Sequence, residues 1–264
     1  MDLYVHGVGV LGPGLEGWKS TRAILRGEEP HRIRPISKPV PDILPATERR
    51  RSSEAARLTI AVAQEALREC GVPLGEVATV FTSSDGDGQI THKICESLAG
   101  PARDVSPTSF HNSVYNAPAG YWSIATGARS GSTSLCAYDM SFAGGLMEAA
   151  VQVTVEGQPV MLIASDLPFP APLHVVRPVD HSFAVALLLT QGAQGAMGKP
   201  LMRWRLSLEP RRVPTGQPAV IDAGLANNPA ARCLPLLEVL ARGRSQTVSL
   251  DYLDPMSLIV SCEA

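Results

Sequence analysis

Very little in this sequence is extreme, and what is missing narrows the field first. Cysteine is scarce: Cys70, Cys95, Cys136, Cys233 and Cys262 are the five in a chain of 264 residues. The number is odd and no pair has CxxC spacing, which argues against a disulfide framework or a zinc site and fits a reducing cytoplasm. An excess of one charge is also missing, since 23 basic against 25 acidic side chains leave a net charge of −2. That balance offers no broad nucleic-acid footprint. The longest apolar runs, 160–164 and 183–189, are far too short to span a bilayer. Met1 to Gly7 show no basic segment followed by an apolar core, so no signal peptide is expected and the chain reads as a soluble cytoplasmic protein. The glycines near Gly86 and Gly88 lack the lysine-serine pair of a phosphate loop, and no Cys/His/Asp group has metal-ligand spacing. No metal or cofactor is expected, and no internal repeat or low-complexity segment is visible.

What is present is an alternation of strand and helix signals. Hydrophobic residues make up 45% and charged residues 18%. That apolar tilt points to a large interface or to a sheet covered on both faces. The first strand is expected over 3–10, closed by Leu11-Gly12-Pro13-Gly14. A helix over 17–26 stops at Gly27, and Pro30, Pro35, Pro39, Pro41 and Pro45 keep the next stretch irregular. Ala55, Leu58, Val62 and Ala66 recur at helical spacing, giving a helix over 52–70 that Gly71 and Pro73 end. The basic run Arg49-Arg50-Arg51 reads as a solvated helix start, or else as a patch for an acidic carrier protein. Further strands are expected over 77–83, 132–137, 160–165, 184–189, 202–208, 247–252 and 258–262. Helices are expected over 88–98, 117–126, 139–155 and 228–242, the third built mostly from small residues. Wholly apolar strands alternating with helices indicate an α/β sheet covered on both sides.

Several local strings, in this order, resemble the N-terminal half of a β-ketoacyl synthase. They are Val5-His6-Gly7-Val8-Gly9-Val10 with Gly17-Trp18 and Leu25-Arg26-Gly27, then Arg49-Arg50-Arg51 with Ala55-Ala56-Arg57, then Asn116-Ala117-Pro118-Ala119-Gly120 through Gly127-Ala128-Arg129. The string from Ser109 to Ala117 and the tail from Asn228 to Leu237 are similar to a truncated synthase-like family of aryl polyene gene clusters. The general resemblance covers about residues 1–195 and the truncated-family resemblance nearly the whole chain. It implies a thiolase-like half: a single αβα unit with a mixed, mostly parallel, five-stranded sheet over 1–195. A small α+β extension, strand-helix-strand over 196–264, is expected to pack on the same domain.

Two departures from the family bear on function. Registering Gly127-Ala128-Arg129 on the family pattern puts Asp139, not a cysteine, at the nucleophile position. Cys136 falls three residues early, inside the expected strand. A synthase cysteine works because a helix N-terminus lowers its thiolate pKa; a carboxylate is a poor substitute for thioester exchange. The plain reading of Asp139 is a helix cap or first-turn acid, with a polar gate at the end of a partner's tunnel as the sharper one. The second departure is length, because the half that carries the family's two catalytic histidines is absent. His111, beside the Asn-Ala-Pro helix start, is the one histidine to watch, although a structural role is the commoner outcome.

The resemblance therefore implies a subunit without catalysis of its own, similar to a chain-length factor. It would pair with a full-length β-ketoacyl synthase, meeting acyl carrier protein only indirectly, through the strand over 132–137, which has no edge-protecting charge or proline. Phe110, His111, Tyr115, Asn116, Cys136, Tyr138 and Met140 are the tunnel and interface candidates. The alternatives are a homodimeric scaffold that binds acyl groups or carrier protein, and an independent acyltransferase using Cys136 or Asp139. The helix from Met140 to Val155 would bare an apolar face unless the tail or another chain covered it.

Overall fold

The computed structural model describes residues 1–68, 70–192 and 197–264. The boundary expected at residues 195/196 lies outside the described residues. β1 (Asp2–Gly12) turns into the short β2 (Leu15–Glu16), and α1 (Trp18–Arg26) ends at Gly27 in the left-handed conformation. The proline-rich stretch is irregular up to α2 (Ala46–Arg51), after which α3 (Glu54–Arg68) begins. Arg49, Arg50 and Arg51 thus form the last turn of a short helix rather than the start of a long one. β3 (Ala78–Thr82), α4 (Gly88–Ala99), α5 (Pro107–Asn112), α6 (Ala117–Thr126) and β4 (Ser132–Leu135) follow. A 3₁₀ turn, Tyr138–Met140, leads into α7 (Ser141–Glu156), then β5 (Val160–Asp166), α8 (Leu173–Val176) and β6 (Phe183–Thr190). The last part holds β7 (Met202–Pro210), a 3₁₀ turn Ala230–Cys233, α9 (Leu234–Arg242), β8 (Gln246–Asp251) and β9 (Met256–Glu263).

The α/β, thiolase-like class is as expected, but the sheet differs in extent and direction. Among the described residues it holds nine strands, in the order β4-β3-β5-β6-β1-β7-β9-β8 with β2 paired to β1. Only β3–β4 and β3–β5 are parallel; the pairs β5–β6, β6–β1, β1–β7, β7–β9 and β9–β8 are antiparallel. Over 1–195 the five expected strands are present as β4-β3-β5-β6-β1, with the two-residue β2 beside them, but two of their four pairings are antiparallel, so the expectation of a mostly parallel sheet is corrected. Apolar strand runs reveal that both faces are buried, but a buried antiparallel strand reads the same as a buried parallel one. β7, β9 and β8 continue the first sheet by adding to the free side of β1, where Leu3 pairs with Trp204.

Strand alternation divides the core into two layers. Val160, Leu162, Ala164, Val185 and Leu187 face α1, α7 and α9, whereas Met161, Ile163, Ala184, Ala186 and Leu188 face α3 and α6. Such strands have no solvent face, which is why 160–164 and 183–189 are apolar throughout. α7 is mostly covered: Phe142, Leu146, Ala149, Ala150 and Val153 join one cluster with Ala230, Ala231, Cys233 and Leu236 of the C-terminal region. Of the two ways to cover this helix, the chain's own tail supplies much of one, and Val151 and Val155 remain exposed.

The two ends of the sheet differ. At β8 the Thr215 amide donates to the Ser249 carbonyl at 2.8 Å, and the Ser249 amide donates back to Thr215 Oγ1 at 2.9 Å. A strap of chain thus occupies that edge. β4 ends the sheet on the other side, where no strand pairs with its outer edge among the described residues, and its side chains are half-buried or exposed.

α3 lies directly on the backbone of β1. A Cβ on Gly9 would sit 1.9 Å from the Val62 carbonyl oxygen, and one on Gly7 would sit 2.0 Å from that of Ala66. The Gly7-x-Gly9 pair is therefore a packing requirement. Gly9→Ala should destabilise the fold by about 2–3 kcal/mol, the scale of backbone-level overpacking. A urea titration showing an unchanged midpoint would contradict this close approach.

Candidate functional site

The C-terminal ends of β3, β4 and β5 meet at one place, the position in a parallel sheet where strands stop and side chains can converge. β3 hands over to Ser83 and Ser84, β4 to Cys136, and β5 ends on Asp166. Asp166 is almost wholly buried, yet it terminates an otherwise apolar strand. Its Oδ1 accepts from the Ser84 amide at 2.7 Å, Ser84 Oγ at 2.6 Å and Ser83 Oγ at 3.2 Å. Oδ2, on the side of the Ala230 amide, lacks a well-formed hydrogen bond. Burial pushes this carboxyl up to about 6, against the pull of the Ser84 and Ser83 hydrogen bonds. Asn228 ties the same strand end to the C-terminal region by donating to the carbonyls of Asp166 and His181 at 3.2 and 2.9 Å.

Tyr115 closes the site from the side. Its hydroxyl accepts from the Ser83 amide and sits against the carbonyls of Ser83 and Leu135. Burial, then the neighbouring Cys136 thiol, pushes its ionisation far above the ordinary tyrosine value. Cys136 stands just beyond β4, not within it, and its thiol donates to the Ser84 carbonyl at 2.8 Å.

The elbow from β4 to α7 carries Tyr138 and Asp139. Tyr138 has φ 52°, a left-handed conformation uncommon for a side chain of its size. Ser141 supports the bend, its hydroxyl accepting from the Ala137 amide and donating to the Tyr138 carbonyl. Asp139 does not cap α7, whose N-cap position is Met140 and has no side-chain cap bond. Instead its Oδ1 lies 2.9 Å from Arg177 Nη2 and its Oδ2 lies 3.5 Å from Arg232 Nη2. Arg232 also reaches Asp251 at 3.2 Å. Beneath Asp139 and Met140 a cleft of about 200 Å³ is floored by Phe142, Ala143, Pro235 and Leu250.

Of the candidates read from sequence, Tyr115, Cys136, Tyr138, Asp139 and Met140 come together here. Phe110 and His111 sit exposed on α5, where the His111 ring meets Tyr121 edge-on at 5.8 Å. Asn116 is exposed at the start of α6 and makes no side-chain cap bond. Sequence reading missed Ser84, Asp166, Arg177 and Arg232. Only Asp166, an acid closing an apolar strand, left a local signal; the arginines reach the site from distant segments. Among the described residues, no group of three or more His, Cys, Asp or Glu side chains could hold a metal, and no helix is long and apolar enough to cross a membrane.

This elbow belongs to a recognisable frame. Residues 25–248 match the family model described as β-ketoacyl synthase, N-terminal domain. The chain belongs to the β-ketoacyl synthase family. No curated protein matches it. Among solved structures it is similar to a ketosynthase (ApeO) in complex with its chain length factor (ApeC) from Xenorhabdus doucetiae, with 25% identity, a TM-score of 0.74 and 99% of each chain covered. It shares a fold with the ishigamide ketosynthase/chain length factor, with 12% identity, a TM-score of 0.72, and 100% of this chain and 99% of the other covered. A full ketosynthase, the twelfth of the bacillaene polyketide synthase in Bacillus amyloliquefaciens, matches at 15% identity and TM-score 0.60; 79% of this chain covers 45% of that one. This member of the family therefore resembles chains found in ketosynthase/chain-length-factor complexes, and it spans under half of that full ketosynthase.

The buried Asp166 generates a pH prediction. Its folded-state pKa is raised, so the stability associated with its proton is complete below the ordinary aspartate value and is lost as pH rises from about 4 through about 6. Asp166→Asn should abolish that slope and raise stability at pH 8 by roughly 1–3 kcal/mol. Denaturant midpoints of both proteins from pH 4 to 8 check this; parallel curves would contradict the assignment.

Proposed function

We propose that this chain is a non-catalytic partner subunit, similar to a chain-length factor, that pairs with a full-length β-ketoacyl synthase in polyketide-like or fatty-acid-like chain assembly. The aryl polyene pathways named by the sequence resemblance are the favoured setting. The observation that carries the reading is the state of Asp139. At the elbow where the family places its nucleophile, the side chain is a carboxylate engaged by two arginines. A thioester-forming nucleophile must be free and ionisable as a thiolate; this group is neither a thiol nor free. The nearest thiol, Cys136, is turned to the Ser84 carbonyl. Carbon–carbon bond formation would then rest with the partner, and this chain would shape the far end of its tunnel.

The exposed edge of β4 supports a partner on that side. Strand pairing across it would extend the nine-stranded sheet into a second molecule and satisfy the edge groups. Val114 and Phe110 stand exposed on the segment that Tyr115 fastens to the end of β4, and Tyr138 stands exposed at the elbow. These apolar side chains fit an interface better than solvent.

Co-expression with a full-length ketosynthase from the same gene neighbourhood, followed by native mass measurement, should give a one-to-one heterodimer. Ser134→Lys, which places a charge on the edge strand, should abolish it without unfolding the chain. A stable monomer or homodimer that ignores the synthase would refute the reading, as would transfer of an acyl group from a carrier-protein thioester onto the isolated chain.

In the reconstituted pair, Tyr138→Ala or Met140→Ala should shift the product distribution to longer chains, read by mass spectrometry of the released acyl groups. Unchanged lengths for both variants would remove the elbow from the tunnel wall.

A further inference from the structure

We infer that Arg177 is the positioning residue that sets the tunnel-facing surface of the elbow, by clamping the Tyr138 ring and the Asp139 carboxylate at once. The inference rests on the partner-subunit reading and names a residue that the sequence pattern did not single out. Arg177 arrives from the β5–β6 connection, directly after Val175 and Val176, which are both exposed. Its own side chain is only 11% exposed. The guanidinium carbon lies 3.6 Å from the Tyr138 ring centroid and 5.5 Å from that of Phe169. One guanidinium nitrogen meets Asp139 at 2.9 Å.

The Tyr138 ring needs such a clamp. It is 57% exposed, its residue holds a strained φ of 52°, and among the described residues no hydrogen bond restrains its hydroxyl. A flat cation can lie along a ring face while one of its nitrogens pairs by charge with a neighbouring carboxylate; a compact ammonium stacks less well. Arg177 stacks on the ring and pairs with Asp139 by charge, its buried Nη2 and Nε making no hydrogen bond among the described residues, and Asp139 also pairs with Arg232, which reaches Asp251. Two aspartates then face two arginines, so the cluster carries no net charge beside an apolar chain. A residue that only stapled the β5–β6 connection to the elbow would need the ion pair but not the stacking.

The test uses the complex with the full-length synthase and three variants: Arg177→Ala, Arg177→Lys and the double variant Tyr138→Ala/Arg177→Ala. Native mass, melting temperature and product length are read for each. Arg177→Ala should still assemble and shift products to longer chains. Arg177→Lys, which keeps the ion pair and so protects the fold, should shift them in the same direction by less. The double variant should match Tyr138→Ala alone, because Arg177 acts through that ring. Assembled Arg177→Lys and Arg177→Ala complexes with wild-type product lengths overturn the inference, and so does an additive double variant. If Arg177→Ala fails to fold, an unshifted Arg177→Lys is sufficient to overturn it. Failure of the wild-type chain to join the synthase refutes the subunit reading itself, and is distinguished from the other failures by the mass measurement.

Discussion

Everything else in this molecule depends on β1 being hydrogen-bonded along both sides. From Tyr4 to Leu11 it pairs with β6, and from Asp2 to Val5 with β7. The first segment of the chain is thus the seam between β4-β3-β5-β6 on one side and β7-β9-β8 on the other. It can serve as a seam only because α3 lies on its backbone at Gly7 and Gly9. Glu65 of that helix reaches over the strand end and accepts from the amides of Val10 and Trp18 at 3.0 and 2.5 Å. One helix therefore fixes the position of the strand, the turn after it and the start of α1.

The C-terminal region has a second effect at the site. Without the chain after β6 the start of α7 would be less covered, and an elbow with a strained residue would have little to hold it. Here Asn228 fastens the C-terminal region to the end of β5, while Arg232 brings it to Asp139. The elbow is held from two sides by segments far apart in sequence. A buried carboxylate with a raised pKa and a left-handed tyrosine are costs that only such a surrounding tolerates.

Elements with a strong period were legible in the sequence. The strand over 160–165 was found because nothing polar interrupts it, and the helix over 52–70 because Ala55, Leu58, Val62 and Ala66 mark one face. Strand direction was not legible, since two-sided burial erases the alternation that separates an antiparallel strand from a parallel one. The short helices α5 and α8 were also missed; at six and four residues they are too short to show a period. At the site, Asp139 and its neighbours were found because they are contiguous. Arg177 and Arg232 were not, because an ion pair joining residues 38 and 93 positions from Asp139 leaves no trace in local spacing.

The unequal ends of the sheet bear on how many molecules can associate. A sheet open at both margins is a building block for a fibre, since each added copy presents a fresh margin to the next. Here the strap at Thr215 engages one margin, whereas among the described residues no strand pairs with the outer side of β4. If the neighbour also joins through its single open strand, the assembly closes at two and growth stops. The threonine strap, which lines the same cleft as Asp139 and Met140, would then act as a terminator, making a pair the largest object this kind of contact could build.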